Sequence, residues 1–301
     1  MKIAVLGAGG IGGYVGGRLA QAGHEVTLIA RGAHLETLRS SGLRIETPNS
    51  EAHLTTINAA AHADEVGPVD LVLFTVKMAD VAQAATTLPA LMGPDTLVLT
   101  LQNGIDSGDM VAAHVGAERI VAGIIYLAAY IKEPGVITHP GGVHLLRADA
   151  MNGHPTMAQL FADSDGLEDL TIEGEQDARQ MLWGKFVDLA AFSGITCLTR
   201  SPIGRVRRHP EALRTYVDLL RENVAIARAE GLHFADDHPE RHIEMFRNQP
   251  YSQKSSMLVD LEAGKPLELP WLSGKMVALG AKHGIETPAN QAVVAALTPF
   301  V

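Results

Sequence analysis

Apolar residues along this chain follow two rhythms, and the change between them falls near residue 170. Five short runs, residues 3–6, 26–30, 69–76, 96–101 and 120–128, are almost uninterrupted and rich in Val, Ile and Leu. A strand with one face in water alternates apolar and polar residues, whereas a strand covered on both faces need not. These runs therefore predict strands buried in a parallel sheet. Residues 11–22, 78–91 and 106–115 lie between them and carry helical spacing. Strand and helix in alternation predict an α/β fold, a doubly wound N-terminal domain of the Rossmann type.

Residues 136–138 and 143–146 read as short strands joined by Pro140-Gly141-Gly142, a turn signal that predicts a hairpin. After residue 172 the spacing becomes helical, over residues 175–196, 211–230, 239–246 and 271–283. Gly231 and Gly284 stand where C-cap glycines belong. The polar stretch 163–174 supplies the boundary. Residues 1–170 are expected to form a parallel-sheet Rossmann-type domain and residues 171–301 an all-helical domain.

A length of 301 residues fits two domains, and 47% hydrophobic residues suffice for two cores. The formal net charge of −10 gives no general pull on nucleic acid. Arg205, Arg207 and Arg208 read as a solvated helix end. The chain has one cysteine, Cys197, which excludes an intramolecular disulfide and a cysteine metal cage; its apolar neighbours suggest an inert buried thiol. The longest apolar run, residues 120–131, falls short of the ~20 residues of a membrane span. The N-terminus leads straight into a glycine turn and not into a secretory signal. The expectation is a reducing, cytoplasmic setting without membrane or nucleic-acid partners. His238 and His242 flank Glu240 at metal-ligand spacing. Pro239 marks a helix start there, so His238 reads as a cap and no metal is expected.

The strongest local signal is Gly7-Ala8-Gly9-Gly10-Ile11-Gly12, after one predicted strand and before a predicted helix. In that context the first glycine makes the turn, the second admits a pyrophosphate close to the backbone, and the third lets helix and strand pack. An enzyme using NAD usually carries an acidic residue at the end of the second strand. Here the strand runs into Ala30-Arg31-Gly32. Arg31 could clamp a 2′-phosphate, which favours NADP. Lys77 and the tripeptide Gln102-Asn103-Gly104 end two further strands, the edge at which ligands of such sheets bind.

In the second half, Leu182-Trp183-Gly184-Lys185-Phe186 sets a lysine within an apolar helix, and Ser255-Ser256-Met257-Leu258 is followed by Glu268. With the glycine loop, Arg31, Val76-Lys77 and Gln102-Asn103-Gly104, these residues resemble the ketopantoate reductase family (2-dehydropantoate 2-reductases) over nearly the whole chain. The resemblance implies reduction of a 2-oxo acid to a 2-hydroxy acid by NADPH. It implies Lys185 as the catalytic proton donor and Glu268 as its partner near the cofactor. It implies cofactor contacts from Lys77, Asn103 and Ala129, and substrate contacts from Asn103, Lys185 and Ser256. Ser193 and Gln253 stand at substrate-facing positions where the family usually has asparagine, as do Leu189 and Ile203. These departures imply a more apolar pocket, so the reaction carries over better than the substrate. A small 2-oxo acid is the expected partner, with a homodimer as the expected assembly. Two rivals stay open: a related hydroxy-acid dehydrogenase with another substrate, and a non-catalytic NADPH sensor that would not need Lys185.

Overall fold

The uninterrupted Val, Ile and Leu runs become the inner strands of an eight-stranded sheet in the computed structural model, which describes all 301 residues. In chain order the strands are β1 (Lys2–Leu6), β2 (Glu25–Ile29), β3 (Leu43–Glu46), β4 (Glu51–Leu54), β5 (Asn58–Ala60) and β6 (Val69–Phe74). They continue with β7 (Met92–Thr100), β8 (Ile120–Leu127), β9 (Tyr130–Glu133), β10 (Val136–Thr138), β11 (His144–Asp149) and β12 (Thr171–Glu175). The large sheet has the order β12-β11-β8-β7-β6-β1-β2-β5, and a smaller sheet has the order β4-β3-β10-β9. The strands from β5 to β8 of that order pair in parallel, and β11 runs antiparallel to β8. Helices α1 (Gly10–Gln21), α2 (Gly32–Ser41), α3 (Val81–Ala85), α4 (Ser107–Val115) and α5 (Pro155–Asp163) accompany these strands.

The chain divides into two compact units, Met1–Gln102 with Asp106–Arg179, and Asn103–Ile105 with Gln180–Val301. The first holds both sheets. Ile3, Val5, Leu28, Leu71 and Leu73 form the centre of its core. Glycine-rich α1 lies close on β1, because a Cβ on Gly16 would meet Val5 at 2.7 Å. Each such glycine costs helix stability of up to ~1 kcal/mol, which close packing of the helix on the sheet offsets.

The second unit is built from α6 (Ala178–Thr199), α7 (Ile203–Val206), α8 (Pro210–Ala229), α9 (His238–Arg247), α10 (Ser256–Glu262), α11 (Ser273–His283) and α12 (Pro288–Leu297). α6 is long and apolar enough by composition to cross a membrane, but 67% of its most apolar window is buried inside the protein. Asn223 of α8 ties to it by donating to the Val187 carbonyl (2.9 Å). The Glu222 carboxylate accepts from the Ala289 and Asn290 amides, satisfying open donors at the start of α12. Gly284 ends α11 in the left-handed conformation at φ 65°.

Several elements differ from the sequence expectation. Residues 136–138 and 143–146 form no hairpin: β10 pairs with β3 and β9, whereas β11 pairs with β8 and β12 in the other sheet. Gly141 and Gly142, both at positive φ, carry the chain from one sheet to the other. The expected helix over 78–91 is broken into two 3₁₀ turns and the five-residue α3. Thr86 and Thr87 turn their hydroxyls back onto carbonyls of the preceding turn, and Pro89 offers no amide. Residues 171–175, expected at the opening of the helical domain, form instead the edge strand β12 of the large sheet. Asp237 is the N-cap of α9, with His238 the first helical residue. Arg207 is not solvated: its guanidinium donates to the carbonyls of Phe246 and Gln249, both at 2.8 Å, and closes the end of α9. Cys197 is 1% exposed, and burial pushes its thiol up to about 12, which leaves it unreactive.

Candidate active site

The glycine turn in the first unit follows from what each position can hold. Gly7 adopts φ 103°, and a Cβ there would meet the Val76 amide at 2.7 Å. A side chain on Gly12 would collide with the Thr75 hydroxyl and the Gly7 carbonyl, and one on Gly10 with the Ala129 carbonyl. Ala129, in the connection from β8 to β9, thus lies against the turn. Gly9 differs: its Cβ would find nothing nearer than the Gly7 carbonyl at 4.0 Å. The backbone here is open on one side, as approach of a phosphate requires. Gly9 is also the N-cap of α1, with no side-chain cap and no acidic residue in the first turn. The amides of Gly10, Ile11 and Gly12 therefore present uncompensated positive ends, suited to an anion.

The strand ends around this turn are clamped. Thr75 donates its hydroxyl to the Gly7 carbonyl (2.9 Å), and the Ala8 amide donates to the Ile29 carbonyl (3.1 Å). The Gln102 amide spans from the end of β7 to the carbonyls of Phe74 (2.8 Å) and Val76 (3.1 Å) beyond β6. Thr75 and Gln102 are positioning residues that sequence reading did not single out on their own. Arg31 is exposed at the N-cap of α2, two residues after β2, and Lys77 is exposed after β6. The first acidic side chain after β2 is Glu36, one turn into α2.

In the second unit three predicted residues meet. Lys185 Nζ donates to Asn103 Oδ1 at 3.0 Å, and Asn103 Nδ2 donates to Glu268 Oε2 at 3.0 Å. Lys185 comes from the middle of α6. Glu268 precedes the 3₁₀ turn Leu269–Trp271, and Asn103 comes from the short segment that packs with this unit. Gly104, at φ 90°, holds that segment in place, since a Cβ there would press on the Trp271 carbonyl at 3.0 Å. Burial pushes the Lys185 ammonium down to about 8, and the charge of Glu268 opposes the shift. A lysine tuned to that range is charged at neutral pH yet gives up its proton readily, as a general acid must. The sequence picked out Lys185 and Glu268 as a pair; the structure adds that Asn103 bridges them.

The remaining predicted residues do not join this trio. Ser256 is exposed in the first turn of α10, and its neighbour Ser255 caps that helix by accepting from the Leu258 amide (3.1 Å). Ser193 lies two turns along α6 from Lys185. It is 0% exposed and its hydroxyl has no hydrogen-bond partner. The Gln253 carbonyl accepts from the Ile203 amide (2.9 Å), while its side-chain Oε1 is buried without a partner. Leu189 is partly buried one turn after Lys185.

Comparison with known proteins matches most of the chain to one family. Residues 3–149 match the family described as ketopantoate reductase PanE/ApbA, and residues 177–300 match its C-terminal counterpart. The 2-dehydropantoate 2-reductase of Caulobacter vibrioides is 32% identical over 298 residues, covering 98% of each chain. The enzyme of the same name from Mesorhizobium japonicum is 29% identical over 316 residues, covering 98% of this chain and 96% of its own. A crystal structure of a PanE/ApbA family ketopantoate reductase from Ralstonia eutropha superposes with a TM-score of 0.90 at 34% identity. That match covers 100% of this chain and 98% of the other.

Proposed function

The chain belongs to the ketopantoate reductase family, and from that premise we propose that it reduces a 2-oxo acid, ketopantoate first among them, to the 2-hydroxy acid with NADPH. The observation that carries the reading is the Lys185–Asn103–Glu268 chain of hydrogen bonds. Bound NADPH would supply a hydride to the carbonyl carbon of the acid. Negative charge then builds on the carbonyl oxygen, and Lys185 Nζ both stabilises that charge and donates the proton. Asn103 fixes the direction of the ammonium through its Oδ1. Glu268 fixes Asn103 in turn, and its negative charge keeps the partly buried lysine protonated.

The open Gly9 face and the uncapped start of α1 fit a pyrophosphate, with Gly7, Ala8, Gly10, Ile11 and Gly12 forming the rest of the cradle. Arg31 supports NADP over NAD, because no acidic side chain stands at the end of β2 to receive a ribose 2′-hydroxyl and to repel a phosphate. Lys77, Asn103 and Ala129 are assigned to the cofactor side, and Ser256, Gln253 and Ser193 to the substrate side. Leu189 favours a second version of the same chemistry, in which the acid carries an apolar side chain: it offers methyl groups one turn from Lys185, where a hydroxylated substrate would need hydrogen bonds.

The test follows the loss of nicotinamide absorbance as ketopantoate, and separately an apolar 2-oxo acid such as 2-oxoisovalerate, is added to protein with NADPH or NADH. Turnover with NADPH that disappears in Lys185→Ala while NADPH binding persists is the expected result. Undiminished turnover in Lys185→Ala would overturn the assignment. Tight NADPH binding without turnover on any acid would favour the sensor.

A further inference from the structure

α6 carries a second polar group one turn beyond Lys185. The Asp188 carboxylate faces both histidines of α9: His238 Nε2 lies 2.8 Å from Oδ1 and His242 Nδ1 lies 3.2 Å from Oδ2. The donor atoms of the three residues all lie within 4.8 Å of one another. Spacing of four residues puts the two imidazoles on one face of α9, with their rings nearly parallel, 25° apart at 6.2 Å. Aromatic walls hold them in that attitude. Phe234 stands edge-on to His238 at 5.0 Å, and Phe246 packs against His242 at 4.6 Å.

His242 is the informative member. It is 5% exposed, and its Nε2 lies 2.8 Å from the buried hydroxyl of Tyr216 on α8. That contact occupies one ring nitrogen and directs the other, Nδ1, at the carboxylate. Imidazoles that bind metals are held in this way, with the second nitrogen fixed by an outer partner. The side chains of Asp188 and His238 are 28% and 24% exposed, so the group is closed on the Tyr216 side and open on the other.

We propose that Asp188, His238 and His242 form a binding site for a divalent transition-metal ion of the zinc class, with water from the open side as the fourth ligand. Two imidazoles and one carboxylate select zinc, cobalt or nickel over magnesium and calcium, which prefer all-oxygen surroundings. One carboxylate and two neutral imidazoles carry a single negative charge, which a dication reverses rather than adds to. Ligands at about 2.1 Å in a tetrahedron stand roughly 3.4 Å apart. The two contacts to Asp188, at 2.8 and 3.2 Å, are shorter than that, so small side-chain rotations would admit an ion in place of the shared protons. The bound ion would clamp α6, the helix of Lys185, to α9. The site is separate from the Lys185–Asn103–Glu268 trio, so its test does not depend on which acid the protein reduces.

The experiment treats purified full-length protein with a chelator, removes the chelator, and titrates Co²⁺ while recording visible absorption. Zn²⁺ then competes for the site, and Mg²⁺ serves as a control. Expected are ligand-field bands saturating at one ion per chain, their loss on adding Zn²⁺, and a rise of several degrees in Tm with Zn²⁺ but not Mg²⁺. His238→Ala removes a partly exposed ring and leaves the Tyr216–His242 contact in place, so it should fold and bind Co²⁺ at least about 100-fold more weakly. Asp188→Asn, which keeps the shape and a hydrogen-bonding amide, should weaken binding in the same way. Absence of the bands, or bands and a Zn²⁺-dependent Tm rise that survive both substitutions, would overturn the proposal and leave the cluster as a hydrogen-bonded strut.

Discussion

Replacing Lys185 by methionine should abolish turnover and stabilise the fold in the same step. Burial lowers the lysine from 10.5 to about 8, against the pull of Glu268. At 1.36 kcal/mol per unit, holding the ammonium charged at neutral pH costs about 3 kcal/mol. That figure is an upper one, because the side chain is only partly buried and water screens it. The variant also loses the bond to Asn103, worth about 1 kcal/mol. The balance is a gain of about 1–2 kcal/mol, or a Tm higher by about 2–8 °C. The pH dependence sharpens the test. An unfolded lysine keeps its proton up to 10.5, while the folded one releases it near 8. Between those values the unfolded chain binds more protons, so the stability of the parent rises with pH. The variant lacks that rise, so its advantage should shrink from pH 8 towards 10.5 and turn into a deficit of about 1 kcal/mol, the lost bond to Asn103. Urea denaturation of both proteins at several pH values measures this. A variant less stable than its parent at pH 7, or an advantage that stays constant across that window, would refute the account of the buried ammonium.

Four further outcomes are expected. The reductive rate should fall with a one-proton slope above pH of about 8, as Lys185 loses its proton, and Lys185→Arg should move that limb upward; a rate flat to pH 10 would remove the lysine from the acid role. Gly9→Val should leave Tm within a few degrees and weaken NADPH binding by calorimetry at least ~100-fold, whereas Gly10→Ala, pressed against the Ala129 carbonyl, should lower Tm; the reverse ranking would contradict the cradle. Arg31→Ala should weaken NADPH about 10–100-fold and leave NADH unchanged, the span of a lost charge-assisted hydrogen bond, and an unaltered ratio of the two Kd values would dismiss the 2′-phosphate contact. Glu230 is held down to about 2 by hydrogen bonds from His283 and Lys282, so its contribution is complete above 4.5 and disappears as pH falls towards 2. Acid denaturation of Glu230→Gln should therefore differ from that of the parent near neutral pH and converge with it at the acid end.

The sequence displayed what repeats locally and hid what is assembled from a distance. β1, β6 and β7 were legible because burial on both faces demands uninterrupted Val, Ile and Leu. β4 and β9 were not, because exposed strands such as Tyr130–Glu133 can be built from polar and apolar residues alike. The turn Pro140-Gly141-Gly142 was visible, but a run of three apolar residues does not say which sheet it joins. Lys185 stood out against its apolar helix. Its partner Asn103 lies 82 residues earlier and Glu268 another 165 from that asparagine, so only the family resemblance linked Glu268 to the lysine, and no signal in the sequence set Asn103 between them. The pairing of His242 with Asp188 and Tyr216 carried no local signal: Glu240 stands between the two histidines in sequence, yet it is Asp188, on α6, that faces both rings.

Because Asn103 packs with the helical unit although it is encoded between β7 and α4, the hydrogen-bonded trio is interleaved with the sheet in the gene. A chimaera joined at residue 179 would draw its lysine and glutamate from one parent and the asparagine between them from the other. Recombination of relatives at the apparent domain border should therefore yield folded but poorly active hybrids, unless the segment Asn103–Ile105 is carried across with the helices. The unit of exchange for this trio is discontinuous: it takes the helical half together with Asn103–Ile105 from the middle of the other.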